Sequence, residues 1–376
     1  MIHLLTIQDL PLEILANIAN FLSTNDVMKL SSSSKYLRRL LHVMRFSNMI
    51  NILKIHTLPF FDSFTNVTYF NQIGLFPKSI QIVRWHDTFQ LPQLPNTILN
   101  LKLGSSYDGS LPQLPDSLTH LTIGNSFKQP LINLPSSLTH LTLETYYHQP
   151  STCLPDTLRH LTLGPHCGQR ITKLPALLTH LILGFWFNAQ LPLLPSGLLH
   201  LKLGYSYSKL LPPLPSSLQH LELGTHYDHP LSLPDSLLYL KLSSVYNQQL
   251  PRLPNSLVHL DLGSNFNHKI TQLPISLSYL KLSHDYDHPL PLLPDTLTHL
   301  VLGYYYDHLL SNIPDSLLHL CLGDNYNHPL PQLPSSLAYL ELSYNYNHPL
   351  PQLPSSLVHL EVGYKYNHPL PNIPLI

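Results

Sequence analysis

The chain has 376 residues, 11% of them charged, with a formal net charge of −1 at pH 7. That balance excludes the basic excess of a nucleic-acid-binding domain and the charge density of a disordered polyelectrolyte. Although 36 prolines are many, 43% hydrophobic residues are enough for a buried core. The three cysteines, Cys153, Cys167 and Cys321, form no C-x-x-C pair, so neither a disulfide framework nor a zinc cage is expected. The opening MIHLLTIQDLP lacks the basic and apolar regions of a signal peptide, and no long apolar run occurs. A soluble, cytoplasmic protein that is not secreted is expected.

Residues 9–42 read as short amphipathic helices. In DLPLEILANIANFLS, Pro11 suits a first helical position, and Leu12, Leu15, Ile18, Ala19 and Leu22 recur at helical steps. Thr24 or Asn25 caps a second helix carrying Val27 and Leu30, and Ser34 caps a third carrying Leu37, Leu40 and Leu41. Helices this short bury too little to fold alone, so they need a partner or the first coil of the repeat region. The string LPLEILANIANFLSTNDVMKLSSSSKYLRRL resembles an F-box: Leu10-Pro11, Glu13-Ile14-Leu15, Ile18, Leu22, Asp26-Val27, Leu30 and Ser34-Lys35 fall in that family's pattern. The resemblance implies docking on a Skp-type adaptor and, through it, on a cullin. Leu10, Pro11, Ile14, Leu15, Ile18, Leu22, Val27 and Leu30 would form or support the apolar docking surface. The plain alternative is a helical cap that shields the first coil from solvent.

Residues 51–75 read as a connector or an eroded first coil, because DSFTNVTY (62 to 69) matches DSLTHLTI (116 to 123) in character. Beyond them, Leu-Pro or Ile-Pro pairs form a ruler. Prolines fall at 95, 115, 135, 155, 175, 195 and 215, then at 234, 254, 274, 294, 314, 334, 354 and 374, a period of 20 with one slip to 19. The slip lies in DHPLSLP, a loop shortened by one residue, after which the register resumes. Fourteen complete units run over 94–372, and FPKSIQIVRWHDTFQLPQ (76 to 93) makes a fifteenth with a shorter loop. Self-similarity at this period means a solenoid whose coils bury one another.

Each column of the repeat has a physical duty. In LPDSLTHLTIGNSFKQPLIN (114 to 133), Leu118, Leu121 and Ile123 form L-x-x-L-x-L, the last two sharing one face of a short strand. Two columns of proline bar an α-helix from the return path. The polar pair after Leu-Pro is expected to satisfy turn amides. Gly after the strand marks crowding by the next coil or an unusual torsion, and the aromatic three residues later is assigned to the core. The repeats resemble the FNIP family, a short leucine-rich-repeat-like unit, whose aromatic-Asn-x-x-Leu/Ile-Pro signature is legible in FNAQLP (187 to 192), YNQQLP (246 to 251) and YNHPLP (from 326, 346 and 366). Ordinary leucine-rich repeats have a fixed Asn three residues beyond the strand; here that column holds Ser106, Tyr146, Trp186, Val245 and Lys365. The expected fold class is therefore α+β: a helical F-box domain over 1–50, the connector over 51–75, and a leucine-rich-repeat-like β-solenoid of about 15 coils with a 20-residue period over 76–376.

The 25 histidines invite a metal or catalytic reading. His120, His140, His160, His180, His200 and His220, with later members down to His359, precede the middle strand leucine, and Tyr239, Tyr279 and Tyr339 replace them. Tyrosine is a poor stand-in for a zinc ligand, so a stacked ring ladder on the outer face is expected. Like-charge repulsion along it should lower the histidine pKa values and weaken the fold in acid. A second column (His229, His268, His288, His308, His328, His348, His368) reads as loop chemistry. There is no G-x-S-x-G, phosphate loop or H-E-x-x-H, and no repeated carboxylate pair. No catalytic, cofactor-binding or metal-binding residue is expected, and the chain reads as a non-enzyme. The rival from another class, a carbohydrate-active β-helix enzyme, would need an acidic or basic cluster on one sheet face, which is not evident.

Recognition belongs to the columns that vary. The outward position between strand leucines carries Lys202, Glu222, Lys241, Asp261, Lys281, Glu341 and Glu361, whose alternating signs suit a protein partner over a polyanion. Beyond the Gly column stand Phe185, Trp186, Tyr205, Tyr304, Tyr305, Tyr344 and Tyr364, candidate hot spots for a protein substrate, or else packing between adjacent loops. By resemblance, the chain is expected to be the substrate-recognition subunit of an SCF-type (Skp, cullin, F-box) ubiquitin ligase. A non-catalytic scaffold and a Skp-sequestering decoy are the alternatives. An F-box ahead of FNIP repeats is typical of large DNA viruses of amoebae and of social amoebae, which implies host cytoplasm for a viral protein.

Overall fold

The computed structural model describes residues 49–58, 61–69, 75–86, 90–144, 154–166 and 171–371, together with Asp26, Lys29, Phe46 and Thr88. The expected docking residues from Leu10 to Leu30 lie outside the described residues. Two compact units divide the chain, Met1–Leu158 and Arg159–Ile376.

In the first unit, β1 (Ile50–Asn51) leads into a 3₁₀ turn (Ile52–Lys54), where the Asn51 side chain accepts the Leu53 N–H at 2.9 Å. A second 3₁₀ turn (Phe61–Ser63) precedes β2 (Asn66–Tyr69), followed by β3 (Ile82–Trp85), β4 (Asn100–Leu103), β5 (His120–Ile123) and β6 (His140–Leu143). Each strand pairs in parallel with the one before it, and the register aligns Val67, Val83, Leu101, Leu121 and Leu141. The DSFTNVTY segment thus contributes a full strand. Ile50 and Asn51, for which the sequence offers no repeat signal, extend the ladder by one short pairing with Val67 and Thr68.

The second unit repeats the same coil. Its strands are β7 (His160–Leu163), β8 (His180–Ile182), β9 (His200–Lys202), β10 (His220–Glu222), β11 (Tyr239–Lys241), β12 (His259–Asp261), β13 (Tyr279–Lys281), β14 (His299–Val301), β15 (His319–Cys321), β16 (Tyr339–Glu341) and β17 (His359–Glu361). All pair in parallel with their neighbours in sequence, and the middle leucines, such as Leu201, Leu221 and Leu240, stand in register.

Two turns fold most of the described coils. Leu198 N–H donates to Pro195 O at 3.1 Å and launches the strand, while Tyr207 N–H donates to Gly204 O at 3.2 Å and starts the return. Proline fixes φ and removes a donor, so the return path between the turns is extended. Leu198, Leu201, Leu203 and Tyr207 are buried together, and each such side chain contributes about 1.5–3 kcal/mol relative to exposure. The aromatic column forms a spine of parallel rings; Tyr207 and Tyr227 are centred 6.3 Å apart, and Tyr306 and Tyr326 6.4 Å apart.

Two columns act between coils. Ser217 Oγ donates to Leu198 O of the preceding coil at 2.7 Å, and Ser137, Ser236, Ser316 and Ser356 repeat the contact. This corrects the expectation that the hydroxyls serve turn amides, because those amides already bond to the Pro carbonyls. A Cβ on Gly204 would lie 1.8 Å from Gly184 O, so at this position the backbones of successive coils approach too closely for a side chain. Ser283 and Ser343 stand in the same column, where their hydroxyls donate to Phe266 O and Tyr326 O.

Candidate functional site

In the strands His, Tyr, Lys and Glu alternate with buried leucine, so the ring column and the charged column share the outward face. In the second unit the rings stack from His160 to His359, with centroids 4.0 Å apart at His200–His220 and His319–Tyr339 and 4.3 Å apart at Tyr239–His259. Ring faces are therefore spent on one another. Only ring edges remain for a partner.

Threonine before the ring fixes its tautomer. Thr179 Oγ1 gives its one proton to Arg159 O at 3.0 Å and lies 2.9 Å from His180 Nδ1, so Nδ1–H must be the donor and Nε2 is left as an acceptor. His120, His140 and His299 have the same arrangement. Leu199 precedes His200, whose buried Nδ1 has no hydrogen-bond partner among the described residues. Burial, followed by the neighbouring His220 and His180, lowers the His200 pKa to about 4. His180, His220, His259 and His319 shift down as well, burial again coming first. The expected direction holds, but desolvation outweighs like-charge repulsion as its cause.

From Lys202 to Lys281 the alternating signs of the outward column resolve into ion pairs, whereas Glu341 and Glu361 stand side by side in register. Lys202 Nζ lies 2.9 Å from Glu222 Oε2, Lys241 Nζ 3.2 Å from Glu222 Oε1, and Lys281 Nζ 3.5 Å from Asp261. Burial alone would raise the Glu222 pKa; hydrogen bonds from the two lysines outweigh it and leave the pKa lowered. Further along, Cys321 Sγ donates to Glu341 at 3.1 Å, and burial with that contact pushes its thiol pKa up to about 12. Such a thiol is a poor nucleophile.

The candidate aromatics form separate clusters. Phe185 and Tyr205 stack at 4.4 Å, and the Trp186 ring stands edge-on to both at 4.6 and 6.3 Å. Phe185, Trp186 and Tyr205 are nonetheless 42%, 51% and 37% exposed. Tyr304 and Tyr305 meet edge-on at 4.9 Å beside His284, and Tyr344 stacks on Tyr364 at 5.2 Å. These residues pack between adjacent loops and still present apolar surface.

The sequence alone does not disclose a second inter-coil ladder. Asn267 N–H donates to Asn247 Oδ1, Asp287 N–H to Asn267 Oδ1 and Asn347 N–H to Asn327 Oδ1, each at 3.0 Å. The next residue, histidine, bonds through Nε2 to the backbone carbonyl of the preceding coil: His268 to Asn247 O and His348 to Asn327 O, both at 2.8 Å. A carbonyl only accepts, so these histidines carry their proton on Nε2. The aromatic-Asn signature contained this ladder, one residue past the ring, where the ordinary leucine-rich position does not lie.

Among the described residues no group of three His, Cys, Asp or Glu is placed to hold a metal ion. No helix among them is long and apolar enough to cross a membrane.

Parallel coils of about 20 residues, each with one short strand and an aromatic spine, define a leucine-rich-repeat-like β-solenoid. The chain belongs to the FNIP repeat family, whose model matches residues 107–146, 127–166, 207–245, 246–285, 286–325, 309–345 and 326–365, more than half of its length. An F-box domain model matches residues 7–48. No curated protein matches the chain significantly. Among solved structures it is similar to CroV588, described as a novel circular leucine-rich-repeat protein, at 29% identity and TM-score 0.58, covering 88% of this chain and 67% of that one. YopM of Yersinia enterocolitica is 26% identical with TM-score 0.56, over 78% of this chain and 77% of its own. YopM of Yersinia pestis, a leucine-rich effector protein, shares the fold at 21% identity and TM-score 0.53, over 78% and 87% of the two chains.

Proposed function

We propose that the protein is the non-catalytic substrate-recognition subunit of an SCF-type ubiquitin ligase. In this reading Leu10, Pro11, Ile14, Leu15, Ile18, Leu22, Val27 and Leu30 dock a Skp-type adaptor, a cullin joins through that adaptor, and the repeats hold a protein substrate in the cytoplasm. The F-box match ahead of the repeat array supports the first half. The observation that carries the second is the exposed Phe185, Trp186 and Tyr205 cluster on rigid coils. Aromatic anchors of this kind, held in place before binding, are the usual centres of protein interfaces. The paired Lys202, Glu222, Lys241, Asp261 and Lys281 then serve register and exclusion of wrong partners more than raw affinity.

The test is a pull-down from eukaryotic cell extract. The full chain should retain a Skp adaptor and a cullin, and Leu10→Ala/Pro11→Ala should lose both while keeping proteins held by the repeats. Trp186→Ala/Tyr205→Ala should show the reverse. A folded full chain that retains neither adaptor nor cullin would return the helices to the role of a solenoid cap.

A further inference from the structure

The two proline columns of the return path are not filled in every coil of the second unit; Leu309 and Ser311 replace both in one of them. Where later coils carry Pro289 and Pro291, the coil before them has Lys269 and Thr271. Beside Lys269 and Thr271 lies a cavity of about 250 Å³ between segments 249–255 and 266–274. Its floor is apolar, formed by Leu253, Phe266, Ile270 and Leu273, all buried. Around it stand Arg252, Lys269, Gln249, Thr271 and Gln272, and no lining residue is acidic. Among the described residues, neither Arg252 nor Lys269 has an ion-pair or hydrogen-bond partner. This contrasts with the outward strand face, where Lys202, Lys241 and Lys281 all meet carboxylates.

We propose that this cleft binds a phosphomonoester carried on a side chain of a protein partner. Arg252 offers a planar fork of donors and Lys269 a mobile point charge, the two ways in which proteins hold phosphate. A phosphorylated side chain carries a charge of about −1.5 to −2 with three strong acceptor oxygens, which matches two cations plus hydroxyl and amide donors. A carboxylate would leave one cation unsatisfied. The cavity is smaller than the roughly 300–1,000 Å³ of cofactor and drug-sized sites, which suits one side chain with its carbon part on the apolar floor. Two cations in a chain of net charge −1 are too few for a nucleic-acid backbone. The site lies on the return path, away from the strand face, and does not depend on the ligase reading.

Phenyl phosphate, benzoate and inorganic phosphate would be titrated into the full chain at constant ionic strength and followed by ligand-observed NMR. The expected result is saturable one-to-one binding of phenyl phosphate, with benzoate at least tenfold weaker. Arg252→Gln and Lys269→Gln should each weaken it at least tenfold at unchanged Tm, and Lys209→Gln, at an exposed lysine elsewhere, should not. Restoring the column with Lys269→Pro/Thr271→Pro should fill the cleft and abolish binding in a protein that still melts cooperatively. Absence of saturable binding, equal binding of benzoate, or binding unchanged in Arg252→Gln and Lys269→Gln would each overturn the assignment.

Discussion

The Lys202 ammonium lies 2.9 Å from Glu222 in the adjacent coil, and the same carboxylate receives Lys241 from the coil beyond at 3.2 Å. One acid thus neutralises two coils, because in-register parallel strands place every outward residue beside its counterpart. From Lys202 to Lys281 the signs alternate, so no like charges stand side by side there. Glu222→Lys would line up three lysines. It should cost about 1–2 kcal/mol, from two lost attractions and two new repulsions of up to about 1 kcal/mol each. Urea unfolding at low and high salt would check this, since the loss should shrink as salt screens the column.

The Gly column sets a sharper limit. Gly204→Ala would drive a methyl to 1.8 Å from Gly184 O, a contact with backbone that no rotamer relieves. A loss of about 3 kcal/mol is expected, the upper end of ordinary single substitutions. Gly197, in the Ser column, has nothing within 4 Å of its Cβ position. Gly197→Ser should therefore stabilise, because its hydroxyl would face Leu178 O as Ser217 faces Leu198 O. A gain of about 1 kcal/mol is expected from that hydrogen bond. Equal melting temperatures for Gly204→Ala and the parent chain would refute the first expectation.

The aromatic spine predicts tolerance where the sequence already varies. Tyr326 is fully buried, yet its hydroxyl receives only a 3.5 Å contact from Leu310 N. Phe127, Phe187 and Phe266 fill the same column without a hydroxyl. Tyr326→Phe should change stability by less than about 1 kcal/mol, the worth of an ordinary hydrogen bond. Tyr326→Ala should cost about 3–5 kcal/mol, because it opens a cavity in the stack. Equal losses for the two variants in chemical denaturation would mean that the hydroxyl, and not the ring, holds the column.

The repeat made the fold legible because each duty recurs in register. Leu118, Leu121 and Phe127 announce burial by period alone, and a proline every 20 residues excludes helix from the return. What stayed hidden depends on partners one coil away. Ser217 and Asn247 look like turn residues in sequence, but their bonds run to a neighbouring coil and not within their own. Ile50 and Asn51 sit outside the period, so only three-dimensional pairing reveals them as strand. The aromatic candidates were legible as exposed and variable, while the cleft beside Arg252 was not, since its lining comes from two successive coils that only the fold brings together.

The histidine ladder ties stability to pH. Burial, with the neighbouring histidines, holds the His200 pKa at about 4 against an ordinary 6.5, so between these values the unfolded chain binds more protons than the folded one. The ladder's contribution is complete above about 6.5 and is lost as pH falls toward about 4. Glu222, whose pKa is lowered, adds a loss of the same sign further into acid. Tm should therefore drop steadily from neutral pH to pH 4. His200→Tyr copies the arrangement of Tyr239 between its stacked histidines; it keeps the ring and removes the titration, so it should flatten that slope while leaving Tm at neutral pH little changed. Parallel Tm curves for the two proteins would show that other groups govern acid unfolding, because a ring that no longer takes up a proton cannot contribute to the difference in proton binding.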